Sequence, residues 1–203
     1  MNNEIKFLCI DTETGGLDPE KNSLLSIGCV VFSVDKTSII IHDKTEILIK
    51  YKDFIISAGA LKVNKINIIE HFENPISKFP KQACENFLSF LYNNFGDIIA
   101  TQNKIKIVGH NVSFDIEFLK MFFKQTGCPG TWERYFDFQI IDTSVISKFL
   151  IECNKLPNTL KSLELLSEHF NLKFDGEKKF HSALFDAEIT CKIYFELLSL
   201  IKD

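Results

Sequence analysis

The sequence predicts an α/β domain built on one mixed sheet, and three observations lead there. Three β-rich runs follow one another closely, over residues 5–12, 24–34 and 38–50, which suggests an antiparallel meander. After residue 80, segments of helical periodicity alternate with short buried strand-like runs, the pattern of parallel strands joined by helices. The resulting order is three strands, then helix, strand, helix, strand and further helices.

Residues 5–12 read as a short buried strand, and 24–34 (LLSIGCVVFSV) as a second, rich in β-branched residues. Gly15, Gly16, Asp18 and Pro19 supply turn chemistry between them. Residues 38–50 continue the β character. Residues 80–95 carry Ala83, Phe87, Phe90, Leu91 and Phe95 at helical spacing. Residues 105–108 read as a buried strand. Residues 113–126 read as a helix, with Ser113 as its N-cap and Gly127 and Pro129 as its stop. A strand over 138–141 ends at Asp142, and short helices follow over 144–152 and 161–170. The last helix covers 182–200, with Leu184, Ala187, Cys191, Tyr194, Leu198 and Ile201 on one stripe. Residues 173–180 (KFDGEKKF) read as a mobile loop. No repeat or linker interrupts the chain, so a single domain over 1–203 is expected.

A chain of 203 residues, 45% hydrophobic and 25% charged, can bury a substantial core. Its net charge of −4 lacks the basic footprint of a protein that coats duplex nucleic acid. An enzyme that grips a strand end is still compatible, because bound divalent cations reverse the local sign. Cys9, Cys29, Cys84, Cys128, Cys153 and Cys191 form no CxxC pair and read as reduced thiols rather than disulfides or a zinc site. The N-terminus has no signal-peptide layout, and the longest apolar runs fall short of a membrane span. A soluble, cytoplasmic protein is expected.

Four carboxylates and one histidine interrupt this apolar framework. Asp11 and Glu13 lie two apart on the first strand, so both face the side of Phe7 and Cys9. Their Cα atoms are about 7 Å apart at a strand rise of roughly 3.3 Å per residue. Like charges so close repel, burial raises their pKa values, and a divalent cation between them removes the conflict. Asp115 opens the helix at 113, where interaction with the helix dipole would by itself account for an acid. Asp186 sits early in the last helix, on a row continuing through Ile189, Ile193 and Leu197. No Lys or Arg lies three or four residues from it. His181 precedes it beside the lysine-bearing segment, where a base can swing over a substrate. Singly, each residue has an ordinary explanation as a cap, a solvated acid or a surface histidine. Together, four oxygen ligands from three segments suit Mg²⁺ or Mn²⁺ better than zinc.

DTET at 11–14, HNVSFD at 110–115 and HSALFD at 181–186 resemble the Exo I, Exo II and Exo III motifs of the DEDDh 3′–5′ exonucleases. This is the DnaQ-like family, with a ribonuclease-H-like fold. The motifs occur in order over nearly the whole chain, and the third has the histidine of the DEDDh branch. The resemblance implies two divalent metal ions, Mg²⁺ or Mn²⁺. Asp11 would bridge them, Glu13 and Asp186 would help hold one, Asp115 would hold the other, and His181 would be the general base. It implies substrate contacts at Thr12, Thr14, Gly15, Gly16 and Leu17, at Asn64, Lys65 and Ile66, and at His110, Asn111 and Phe114.

The chain departs from the family at two places. It has Gly15 where many relatives read DTETTGL, which alters the turn. Its ALKVNKI at 60–66 stands where many carry a VHGI-like segment, which bears on nucleotide preference. Lys62, Lys65, Lys178 and Lys179 are candidate phosphate contacts. The implied reaction releases nucleoside 5′-monophosphates from the 3′ ends of single-stranded or frayed DNA, in proofreading or repair. An exoribonuclease or short-oligonucleotide-degrading enzyme, and a weakly catalytic polymerase accessory subunit, are the other readings. The expected partners are nucleic acid 3′ ends, with a polymerase or a second copy of the chain as protein partners.

Overall fold

The structure, a computed structural model, describes residues 5–172 and 181–202; the loop expected over 173–180 lies outside them. The first three strands are β1 (Lys6–Thr14), β2 (Leu24–Val34) and β3 (Ile39–Leu48). Short helices α1 (Ala58–Asn64) and α2 (Ile68–Glu73) precede α3 (Pro80–Phe95) and the single turn α4 (Ile98–Thr101). The chain continues through β4 (Lys106–Gly109), α5 (Ser113–Gln125), α6 (Thr131–Tyr135) and β5 (Ile141–Asp142). Helices α7 (Thr143–Glu152), α8 (Leu163–His169) and α9 (Ala183–Lys202) complete it.

The five strands form one mixed sheet in the order β3-β2-β1-β4-β5. β1 and β2, and β2 and β3, pair antiparallel, whereas β4 joins β1 and β5 joins β4 in parallel. This is the arrangement expected from three close strands followed by helix-separated ones. Every residue of β2 but the last is buried, because both sheet faces are covered.

Alternation along β1 divides the core. Leu8 and Ile10 pack with Phe87 and Leu91 of α3 and Leu119 and Phe122 of α5. Phe7 and Cys9 point the other way, against Ala187, Cys191 and Tyr194 of α9. A second row of α9, Ile189, Ile193 and Leu197, is buried against Leu150 of α7 and Leu166 of α8. Burying each such side chain contributes roughly 1.5–3 kcal/mol, so α9 is fixed on two sides. Its stripe runs out at Ile201, which is exposed.

Two expected boundaries shift. Ser113 is the first helical residue of α5 rather than its N-cap. The Asp142 carboxylate satisfies the preceding N–H groups, accepting from Asn111 at 2.9 Å and Val112 at 3.2 Å. β5 contains two residues, and Phe138 lies outside it with its side chain exposed, because only Ile141 and Asp142 pair with β4. All six cysteines are free thiols. Among the described residues, no helix is long and apolar enough to cross a membrane.

Candidate active site

Asp11 and Glu13 leave β1 on the face covered by α9. Opposite Asp11 in β2 stands Gly28. A Cβ there would lie 2.1 Å from the Ala183 carbonyl oxygen, so glycine lets the first turn of α9 rest directly on the strand. That contact brings Asp186 to β1. One carboxylate oxygen from each of Asp11, Glu13 and Asp186 lies within 4.8 Å of the other two. Glu13 and Asp186 are 9% and 8% exposed. Asp186 Oδ2 accepts the His181 N–H at 3.1 Å, while its Oδ1 is buried without a partner. An orphaned buried carboxylate oxygen facing two more carboxylates is a donor set for a hard divalent cation.

Asp115 stands apart from this triplet. It is buried in the first turn of α5, and its Oδ1 accepts the Thr12 hydroxyl at 2.6 Å. The bond ties α5 to β1 between Asp11 and Glu13. His181 is exposed, with φ of 70°, in the left-handed region, immediately before α9.

Burial is the largest influence on all four acids, and it raises each. Asp11 is pushed well above the carboxylate range, with the charges of Asp115, Asp186 and Glu13 adding to the effect. Glu13 rises to about 8, burial being reinforced by Asp186, Glu46 and Asp115. Asp115 rises to about 7 even though the Thr12 hydroxyl draws it down, and Asp186 to about 6 against the His181 N–H. No positive side chain among the described residues contributes to any of the four shifts. Acids so placed hold protons near neutral pH unless a cation replaces them.

Glu46 was not singled out in the sequence. It lies on β3, half-buried; burial raises its carboxyl, while the Leu184 N–H and the Ser182 hydroxyl at the start of α9 draw it down. Lys44, on the same strand, reaches Glu188 at 2.8 Å. Nothing in the local pattern of a β-strand announces such contacts, which join residues about 140 positions apart.

Asp11, Glu13 and Asp186 form the floor of a cleft of about 480 Å³, and Asp115 lies outside its lining. Thr12, Thr14, Gly16, Leu17, Asn64 and Phe114, all expected to contact substrate, line it together with His181. Its far wall is α1 with its N-cap Ser57, through Gly59, Ala60 and Val63; Ala60 and Val63 fall in the 60–66 segment that the sequence set apart, whereas Ser57 and Gly59 did not stand out. The helix is held there by polar pins. Gly15 N–H donates to the Ser23 carbonyl and Ser57 N–H to the Gly15 carbonyl, both at 2.7 Å. Asn64, the buried residue of α1, donates to the Thr14 carbonyl at 3.2 Å. Gly15 is required by this docking: a Cβ would lie 2.3 Å from the Ile55 carbonyl oxygen. The signal available in the sequence was Ser57, whose side chain caps α1 at the Ala60 N–H.

The remaining expected contacts lie elsewhere. Lys65 ends α1 in the left-handed conformation and, with Ile66, does not line the cleft. Nor do Gly15, His110 and Asn111. Lys62 and Lys65 are exposed, and Lys178 and Lys179 lie outside the described residues.

The Exonuclease family matches residues 8–194. The chain belongs to that family. It is a 3′–5′ exonuclease of the DEDDh type, with a ribonuclease-H-like fold. Ribonuclease T of Histophilus somni is 27% identical to this exonuclease over 195 residues, spanning 95% of the chain and 83% of the relative. The PolC-type DNA polymerase III of Thermotoga petrophila is 26% identical over 200 residues, 97% of the chain but 12% of the polymerase. E. coli exonuclease I, solved with a dA16 oligonucleotide, shares the fold at a TM-score of 0.73 and 16% identity, over 98% of this chain and 42% of that one.

Proposed function

We propose that this exonuclease removes nucleotides one at a time from the 3′ end of single-stranded or frayed DNA, releasing nucleoside 5′-monophosphates. The observation that carries the reading is the convergence of Asp11, Glu13 and Asp186 oxygens within 4.8 Å at the floor of a nucleotide-sized cleft. Asp11, Glu13 and Asp186 would hold one divalent ion, and Asp115 with Asp11 a second, as Mg²⁺ or Mn²⁺. Bound there, such ions would supply charge neutralisation at the phosphate and a more acidic water.

The chain's own residues do the positioning. Leu17, Val63 and Phe114 offer apolar surface to the terminal base, which tolerates any base identity. Asn64 holds the wall against β1 and so sets the cleft width. His181, exposed beside Asp186, accepts a proton from the attacking water.

RNA is the second reading, favoured by the likeness to ribonuclease T over most of both chains. The test is digestion of matched single-stranded DNA, duplex DNA and RNA oligonucleotides with Mg²⁺ or Mn²⁺. Stepwise loss from an open 3′ end, and resistance when that end is blocked, is the expected result. Internal cleavage of a blocked oligonucleotide would overturn it.

A further inference from the structure

A second cavity, of about 640 Å³, adjoins the carboxylate site between the end of β4, α7 and the loop before α8. The sheet puts it there. β4 runs parallel to β1 with Val108 opposite Cys9, which sets His110 about level with Asp11. The two strands are separated by one spacing of about 4.8 Å. β5 pairs Asp142 with Gly109, and α7 starts from that point. The cavity therefore opens at the same edge of the parallel strands as the catalytic carboxylates, the edge where α/β sheets receive ligands.

Its chemistry is the reverse of the cleft's. The residues lining the cleft include three acids and no lysine or arginine. Those lining the cavity include Lys148 and Lys161 against one acid, Glu152. Ser144 also lines it and is 8% exposed; its N–H donates to the Asp142 carboxylate at 2.8 Å. His110 is locked in place. The Thr143 hydroxyl donates to the Gly109 carbonyl at 3.0 Å, so it accepts from His110 Nδ1 at 3.0 Å. Nε2 remains as the ring's second hydrogen-bonding position.

A strand whose 3′-terminal nucleotide fills the cleft must carry its next phosphates past the carboxylates, and phosphates require cations. We propose that this cavity binds the phosphates of the substrate strand on the 5′ side of the terminal nucleotide. Lys148 and Lys161 are the ionic contacts and Ser144 is a hydrogen-bond donor. The assignment rests on the 3′-exonuclease reading and deepens it, because it makes grip depend on strand length rather than on the terminal base.

The test uses the full chain and a fluorescent single-stranded decamer whose 3′ linkages are phosphorothioates. Binding is measured by anisotropy over a salt series. The Lys148→Ala/Lys161→Ala variant is expected to bind about tenfold more weakly at low salt. The slope of log Kd against log salt should fall by about 1.4, at roughly 0.7 per lost phosphate contact. A control pair, Lys36→Ala/Lys104→Ala, removes two exposed lysines outside both cavities and should stay within twofold of wild type. An unchanged slope, or an equal change in the control pair, overturns the assignment. Digestion of an unprotected decamer by wild type is scored separately. Its failure would remove the exonuclease reading, whereas normal digestion with an unaltered slope removes the cavity assignment alone.

Discussion

The floor and the wall of the cleft are built by different physics. The floor residues stand on β1 and α9, elements fixed by continuous apolar packing on both sheet faces. The wall, α1, buries one residue, Asn64, and is docked through a handful of polar bonds from Gly15, Ser57 and Asn64. Metal-dependent chemistry requires carboxylates held to a fraction of an ångström, which a packed core supplies. Admitting and releasing successive nucleotides requires a wall that can yield, which a few polar pins allow. Substitutions in the floor should therefore act on kcat and metal binding, and substitutions in the wall on KM.

The largest expected effect is in the floor. Asp11→Ala should lower kcat by about 10³-fold or more, the loss of several kcal/mol of charge stabilisation. Because Asp11 is repelled by three other acids, its loss should leave the Tm in EDTA unchanged or raised. Retained digestion would remove Asp11 from the site. His181→Ala should cost about 10²–10³-fold in kcat while Mn²⁺ affinity stays within about threefold. An unaltered pH–rate profile in that variant would count against its role as base.

Gly28→Val tests whether the floor depends on the close approach of β2 and α9. The added side chain meets the Ala183 carbonyl and should cost about 1–3 kcal/mol of stability. Manganese affinity should drop with it, because Asp186 moves away from Asp11. Full Mn²⁺ affinity, measured by calorimetry, would show that the approach is not what assembles the triplet.

The pH dependence follows from the raised acids. Glu13 near 8, Asp115 near 7 and Asp186 near 6 all lie above the unfolded range near 4. In EDTA, their contribution to stability is complete below about pH 4 and is lost as pH rises through 6 to 8. Metal binding must displace these protons, so Mn²⁺ affinity should climb across the same window and level off above it. A flat affinity between pH 5 and 9 would break the link. The smallest effect belongs to the wall. Asn64→Ala removes the hydrogen bond to Thr14, at about 1 kcal/mol. It should raise KM about three- to tenfold with kcat within twofold; an equal fall in kcat would mean that the wall also orders the floor.

Much of the floor was legible because its signals are local. Alternation placed Asp11 and Glu13 on the Phe7–Cys9 face, and the helical row of Ile189, Ile193 and Leu197 marked Asp186 as an acid in apolar company. The wall was legible only as the 60–66 segment with its Asn64, and not as a helix, for the opposite reason. α1 has seven residues, Gly59 within it and no apolar stripe, so periodicity could not reveal it. Its seven residues fold against β1 through backbone bonds and one amide, none of which leaves a sequence period. His110 shows a third case: its motif was readable, but its direction toward α7 depends on the Thr143 hydroxyl, 33 positions away.

The sequence by itself determined the sheet's mixed character, the order of the three motifs and the identity of the acids, because side-chain alternation and spacing are properties of neighbouring residues. Only the tertiary structure decided that three of the acids converge while Asp115 stands on Thr12. It alone decided that Gly28 admits α9, that α1 closes the cleft, and that two lysines border a separate cavity beside it. Those outcomes depend on distances between segments far apart in the chain, which are set when the two faces of the sheet are packed.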